Sequence, residues 1–243
     1  MLCGCEGIFS GSVLRELLAC GSVQVVGVVR STRVLKARYG VLRGAWHQAR
    51  RSGLAYTFYL WVATAWTEAV SCCALRGLAR RHGIPVLATR DVNGAAGLAF
   101  VARARADVLV CAYFNQRIGE ELLGLPGVVA LNIHPSLLPE LKGVDPVFFA
   151  RLRGITHLGV TVHHIEAELD AGRVLVQQVL LAPVGESVLR TTARLFALGG
   201  RLLVACLGGP LSRDTGCPQP NAGGYDSWPS AAQVALLRSR GVA

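Results

Sequence analysis

Val128-Val129-Ala130-Leu131-Asn132-Ile133-His134-Pro135 reads as a strand that stops at a proline. Proline has no amide hydrogen to give a sheet ladder, so the strand ends there and its last side chains stand at its carboxyl end. Period-two alternation puts Asn132 and His134 on one face and Leu131 and Ile133 on the other. An amide and an imidazole therefore project together. In an open α/β sheet, the crevice beyond the carboxyl ends of the strands is where ligands bind.

Working outward, further strands are expected at Met1 to Cys5, Val23 to Val29, Ile84 to Ala88 and Asp107 to Ala112. The near-continuous valines of 23–29 suit a strand covered on both faces. Helical patterning falls between these strands, over Ser12 to Cys20 with apolar Val13, Leu14, Leu17 and Leu18, over Gly94 to Ala104 and over Ile118 to Leu123. Strands alternating with helices predict an α/β, Rossmann-like, doubly wound and mostly parallel sheet. Beyond Pro135 come a helix at Val147 to Arg153, strands at Gly159 to Ile165 and Arg173 to Leu181, and a long helix over Ser187 to Cys206. A Gly/Pro/Asn-rich loop follows over Gly208 to Gly224, and a last helix starts at Ser230 and ends before Gly241. The organisation expected is a catalytic unit over 1–206, with a helical, basic and apolar insertion at about 36–81, and a loop-rich C-terminal extension over 207–243.

The 243 residues are 52% hydrophobic and 16% charged, with a mean hydropathy of +0.43, which excludes a disordered, collagen-like or coiled-coil chain. Of the 25 basic residues 23 are Arg; Lys36 and Lys142 are the two lysines. The net charge of +10 is local: residues 30–105 hold 13 basic residues against Glu68 and Asp91, whereas the remainder holds 12 against 13. An anionic partner is to be sought near that segment, the alternative being a solvated basic face. Eight cysteines at 3, 5, 20, 72, 73, 111, 206 and 217 show no CxxC framework, so reduced thiols packed as small hydrophobes are expected. Met1 to Gly11 lacks the basic start and apolar run of a secretory signal, and a cytoplasmic protein is expected.

Leu54 to Leu75 carries one formal charge in 22 residues, with aromatic Tyr56, Phe58 and Tyr59. Its length permits a transmembrane helix, but Thr57, Thr64, Thr67, Glu68 and Ser71 oppose that reading. A helical insertion packed on its own protein, or on a partner in a homo-oligomer, is expected instead. Arg43, Arg50 and Arg51 before it, and Arg76, Arg80 and Arg81 after it, would also suit a helix lying peripherally on an anionic membrane.

A second polar cluster, Gly159-Val160-Thr161-Val162-His163-His164, runs into Glu166, Glu168 and Asp170, with a turn expected at Asp170 to Gly172. A carboxylate brought beside His134 would orient its ring and favour its protonated form, which suits acid/base work next to a developing oxyanion. The alternative is a satisfied core histidine with Asn132 and Asp170 as turn residues. A metal held by His134, His163, His164 and Asp170 has no supporting spacing of the HExxH kind, and no metal is expected. His47, His82 and His157 are assigned to surface or loop.

With these residues in view, the chain resembles the catalytic domain of the folate-dependent formyltransferases. NIHPSLLP (132–139), then Gly143 and Pro146, then GVTVHHIEAELDAG (159–172) and Gln177 follow that family's Asn-x-His-x-Ser-Leu-Leu-Pro and G-x-T-x-H…D-x-G stretches. Weaker likeness runs through Ala112 to Ile118 and through FSGSVLRELLACGSVQVVGVV (9–29), so that about two thirds of the chain is covered. The resemblance implies 10-formyltetrahydrofolate as formyl donor and an amine as acceptor. Carried over, Asn132 would bond the formyl oxygen, His134 would polarise it or pass a proton to the departing nitrogen, and Asp170 would hold His134, with an ordered water between. Arg117 and Ile118, the turn Ser136, Leu137, Leu138 and Pro139, and Gly143 match segments that line the folate pocket. The chain departs from the family pattern in a short first strand before Cys3 to Phe9 and in the insertion, which only part of the family carries.

For the acceptor, glycinamide ribonucleotide formyltransferases resemble the chain at NIHPSLLP, but their GSGxN phosphate loop is replaced by Gly4 to Gly11, where Glu6 would repel phosphate. Methionyl-tRNA formyltransferases share Phe9-Ser10 but add an RNA-contacting barrel, for which the 37 residues after Cys206 are too few, so tRNA is disfavoured. A small-molecule amine remains, such as an amino sugar on a phosphate carrier, with a lipid-linked acceptor suggested by residues 54–75. A hydrolase releasing formate from the same donor and a noncatalytic folate or nucleotide binder are the competing readings. A nicotinamide dehydrogenase is weaker, since no G-x-G-x-x-G follows the first strand.

Overall fold

A computed structural model describes residues 1–34, 39–66, 74–183, 185–220 and 223–241. In chain order the elements are β1 (Leu2–Cys5), α1 (Ile8–Ala19), β2 (Val28–Ser31), α2 (Val41–Trp61), α3 (Leu75–Arg81), β3 (Val86–Thr89), α4 (Ala95–Ala104), β4 (Val108–Ala112), α5 (Glu120–Leu123), β5 (Val129–His134), β6 (Lys142–Gly143), α6 (Pro146–Leu152), β7 (His157–His164), β8 (Val174–Leu181), α7 (Val188–Leu207), β9 (Tyr225–Asp226) and α8 (Ala231–Ser239). A seven-stranded sheet runs β3-β2-β1-β4-β5-β7-β8. Its first five strands are parallel, and β7 and β8 pair antiparallel. This is the doubly wound α/β, Rossmann-like architecture expected.

The apolar runs are explained by burial on both faces. Leu2, Val28, Val110, Leu131 and Ile133 point into one core with Val13 and Leu14 of α1 and Leu195 and Phe196 of α7. Their sequence neighbours Cys3, Val29, Leu109, Cys111 and Ala130 point into a second core with Val101 of α4 and Leu122 of α5. Long α7 lies close against β5 because it has no side chain at Gly199, where a Cβ would meet Ile133 Cγ2 at 2.4 Å. The strand that ends at His134 is thereby backed by a helix in direct contact.

Several expectations are corrected. The strand foreseen over Val23 to Val29 is regular only from Val28, although Gly27 O still accepts from Leu2 N–H (3.1 Å); Pro85, opposite Gly27, has no hydrogen to extend the ladder toward Val26. Helix α1 begins at Ile8, four residues before the Ser12 foreseen, and the helix foreseen from Ile118 is the single turn α5 from Glu120. The last helix starts as expected, with Ser230 and Gln233 forming a reciprocal capping box.

The apolar insertion begins upstream of residue 54. Helix α2 starts at Val41, kinks at Gly53 (φ 82°) and continues as a π-helical turn over Val62–Trp66. Its buried side is anchored: Gln48 Nε2 donates to Ser52 Oγ (2.9 Å), Ser52 to Pro229 O (2.6 Å), and Tyr56 Oη to Asp145 Oδ2 (2.7 Å). Lys36, Thr67, Glu68, Ser71, Cys72 and Cys73 lie outside the described residues. No helix among the described residues is long and apolar enough to cross a membrane. Cys3, Cys5, Cys20, Cys111, Cys206 and Cys217 are free thiols.

Candidate active site

At the carboxyl end of β5, antiparallel pairing sets Asn132 opposite His163 and His134 opposite Thr161. Asn132 Nδ2 lies 3.1 Å from His163 Nε2, and His163 Nδ1 lies 2.8 Å from the carbonyl oxygen of His164. A carbonyl only accepts, so Nδ1 carries the hydrogen and Nε2 offers a lone pair. Burial, then the nearby His134 ring, pushes the His163 pKa down to about 4, which keeps it neutral near pH 7. Asn132 therefore spends one amide hydrogen on His163 and keeps the other for a ligand.

His134 is fixed in the same manner. Its Nε2 is 2.8 Å from Leu141 O and so carries a hydrogen, leaving Nδ1 as the nitrogen able to exchange a proton. Nδ1 faces Asp170 Oδ1 at 3.5 Å. Asp170 sits in a left-handed turn (φ 53°). Its Oδ2 accepts from Gly143 N–H (3.0 Å), while Gln219 Nε2 donates to the carbonyls of Asp170 (3.1 Å) and Gly172 (2.7 Å). Gly143 (φ 130°) joins β6 to β9, where a Cβ would meet Asp226 O at 2.1 Å, so only glycine fits.

The residues expected around the folate divide into two groups. Arg117 is exposed, lines a cleft of about 350 Å³ with Lys142, Glu168, Leu169, Gly223 and Tyr225, and donates to the carbonyl of Ala167, tying its loop to the Asp170 turn. Gly143 holds Asp170 through its backbone. By contrast, Ile118 is buried in the second core. Ser136 and Leu138 are also buried: Ser136 Oγ donates to Leu141 O (2.7 Å), and Leu138 N–H to Thr161 Oγ1 (3.2 Å). Leu137 packs across Gly159 on β7, and Pro139, after a cis peptide bond, lies under Gly223. Their side chains shape and lock the turn.

Glu6 also departs from expectation. It is buried, 3.7 Å from Arg30 Nε, and accepts from the Arg76 N–H (3.1 Å), so its charge is balanced inside the protein and is not set to repel a phosphate.

Four further groups at the candidate site were given no role by the sequence. His163 was weighed only as a metal ligand, although a polar residue facing Asn132 across an antiparallel pair was the available signal. Thr161 Oγ1 donates to Ser136 O (2.7 Å) and accepts from Gln177 Nε2 (2.8 Å), clamping the turn that follows His134. Gln219 lies in a loop with no local pattern to mark it. Lys142 was noted only as one of two lysines, yet its ammonium lines the cleft and makes no hydrogen bond or ion pair among the described residues. Among those residues, no group of three or more His, Cys, Asp or Glu side chains is arranged to hold a metal ion.

Comparison with known proteins places this geometry. Residues 81–207, which contain Asn132, His134 and Asp170, match the family described as Formyl transferase. A methionyl-tRNA formyltransferase of Roseiflexus castenholzii is 39% identical over 129 residues, covering 53% of this chain and 41% of the relative. One from Thermotoga maritima is 31% identical over 133 residues, covering 55% and 42%. The aligned region thus spans about two fifths of the length of these curated relatives. In structure, a sugar N-formyltransferase from a Shewanella species superposes with a TM-score of 0.59 at 16% identity, over 99% of this chain and 86% of that one. A formyltetrahydrofolate deformylase from Pseudomonas syringae gives 0.59 at 22% identity, over 90% and 64%. These structural likenesses establish a shared fold. With the family match running unbroken through β5, β7 and the Asp170 turn, the chain belongs to the formyl transferase family.

Proposed function

We propose that this chain transfers a formyl group from 10-formyltetrahydrofolate to the primary amine of a small-molecule acceptor, such as an amino sugar on a phosphate carrier, in the cytoplasm. The observation that carries the reading is the pairing of Asn132 with neutral His163 beside the His134–Asp170 pair, which leaves one amide hydrogen of Asn132 uncommitted at the carboxyl end of β5. The folate supplies an activated formyl carbon. The cleft beside Asp170 is within the usual size range of small-ligand sites and offers Arg117 and the unpaired Lys142 ammonium to its charged or carbonyl groups.

In this mechanism the free hydrogen of Asn132 Nδ2 bonds the formyl oxygen more strongly as negative charge builds there. The acceptor amine attacks the formyl carbon, the bond from that carbon to the folate nitrogen breaks, and one proton passes from the amine to that nitrogen by way of His134 Nδ1, which Asp170 faces. The tether from Nε2 to Leu141 O keeps the ring from turning away. Residues 1–206 form the catalytic unit in this reading, and 207–243 strap it closed, with Gln219 steadying Asp170 and with Gly223 and Tyr225 forming one wall of the cleft.

A second reading, methionyl-tRNA as acceptor, is favoured by the 39% identity to the Roseiflexus protein. A glycinamide ribonucleotide acceptor regains support from the inward-turned Glu6. Incubation with 10-formyltetrahydrofolate and a panel of amino-sugar nucleotides, glycinamide ribonucleotide and methionyl-tRNA, following tetrahydrofolate and formate together, separates them. Amine-dependent tetrahydrofolate release with an amino-sugar nucleotide supports the proposal. Release with tRNA alone moves the acceptor to tRNA, and formate without amine makes the chain a hydrolase.

A further inference from the structure

The outer face of α2 has no role in the chemistry above. Before the Gly53 kink it exposes Val41, Leu42 (87% exposed) and Trp46; after it, Leu54 (79%), Phe58 (62%) and Trp61. The second set falls at i, i+4 and i+7, one face of one helical segment. This exposure is a property of an anchored helix, because the opposite side is held by Ser52 on Pro229 and Tyr56 on Asp145. The apolar residues face outward although the inner face is already satisfied by the protein's own polar and aromatic groups.

Charge on the same helix is of one sign. Arg43, Arg50 and Arg51 are exposed on α2, with Arg50 stacked over the Trp46 ring at 4.8 Å, and the sequence holds no Asp or Glu between Glu16 and Glu68. Exposed Leu, Phe and Trp flanked by Arg fit the headgroup and upper acyl region of an anionic bilayer, where the apolar groups leave water and the guanidinium groups meet phosphate. A second copy is a poor match: in a two-fold contact the partner would present the same helix, which brings further arginines and no Asp or Glu to pair with them. We propose that α2 is a peripheral docking surface for an anionic membrane.

The test uses the whole protein with vesicles of phosphatidylcholine alone or phosphatidylcholine containing phosphatidylserine, read by co-sedimentation. Expected is binding to the anionic vesicles that weakens with added salt, since the Debye length shrinks from roughly 10 Å at 0.1 M. The double variant Leu54→Ser/Phe58→Ser should reduce binding roughly tenfold or more, and Arg43→Gln/Arg50→Gln should abolish the preference for anionic over neutral vesicles. Both variants should keep the parent melting temperature, which distinguishes lost docking from lost folding. Absence of binding to anionic vesicles, or equal binding by the Leu54→Ser/Phe58→Ser protein, overturns the proposal. So does a dimer in analytical ultracentrifugation that the same substitutions dissociate, which would make this face an interface between copies.

Discussion

The carboxyl end of the sheet and helix α2 are built on opposite principles. Around β5 and β7, polar side chains are buried and each is held by named partners: Thr161 bonds three groups, His163 two and His134 two. Along α2, large apolar side chains are exposed and the charges on the helix are all basic. The first region can tolerate almost no change, because each buried polar group removed leaves another unpaired. The second can change freely without disturbing the fold, because its outer face contacts little of the protein. Fixed internal geometry suits reaction chemistry, and an unsatisfied outer face suits association.

The sharpest way to break this contrast is at Asn132. Replacing it with Ala should lower kcat by roughly 100- to 1,000-fold in the tetrahydrofolate-release assay, with a smaller loss of stability of about 1–2 kcal/mol because buried His163 Nε2 loses its donor. Normal turnover would remove Asn132 from the chemistry. Next in size is an acid dependence of stability. The His163 pKa falls from 6.5 to about 4 in the fold, so below pH 6.5 the unfolded chain binds a proton that the native protein does not. Stability contributed by neutral His163 is complete above that pH and declines as the pH falls, by roughly 3 kcal/mol on reaching pH 4. Urea denaturation from pH 7 to 4 checks it, and His163→Gln should flatten that slope.

Thr161→Val keeps the shape and removes the hydroxyl, stranding the buried Leu138 N–H and Ser136 carbonyl. A loss of about 2 kcal/mol in unfolding free energy is expected, with urea midpoint as the readout. Gln219→Ala should act more gently, reducing kcat by roughly tenfold, or about 1.4 kcal/mol in the barrier, because the Asp170 turn loses its side-chain brace and keeps Gly143. An unchanged rate would confine Gln219 to shaping the loop. The smallest effect belongs to α2: Leu54→Ser should shift stability by less than about 0.5 kcal/mol, measured by thermal melting. A large loss there would mean that the outer face is packed after all and would erase the contrast.

What could be read ahead of the structure follows the same division. Asn132, His134 and Pro135 lie within one strand, where alternation and a missing amide hydrogen are local facts. The acids and turn after β7 left the partner of His134 open among Glu166, Glu168 and Asp170, and the family resemblance singled out Asp170. The strand expected at Val23 to Val26 failed because pairing depends on what lies opposite, and Pro85 is more than fifty residues away in sequence. Ser136 and Leu138 were assigned to the pocket by resemblance; both are buried, Ser136 Oγ donating to Leu141 O and the Leu138 backbone bonding the side chains of Thr161 and Gln177.

The sequence by itself determined the sheet, the carboxyl-end placement of Asn132 and His134, and the local basic excess, because hydrophobic period, proline and charge act over a few residues. Only the tertiary structure decided that His163 aims Asn132, that Gln219 and Gly143 hold Asp170, that Glu6 is neutralised by Arg30, and that the apolar face of α2 looks outward. Those outcomes depend on partners far apart in the chain, whose distances and lone pairs are set when the strands pair and the helices dock.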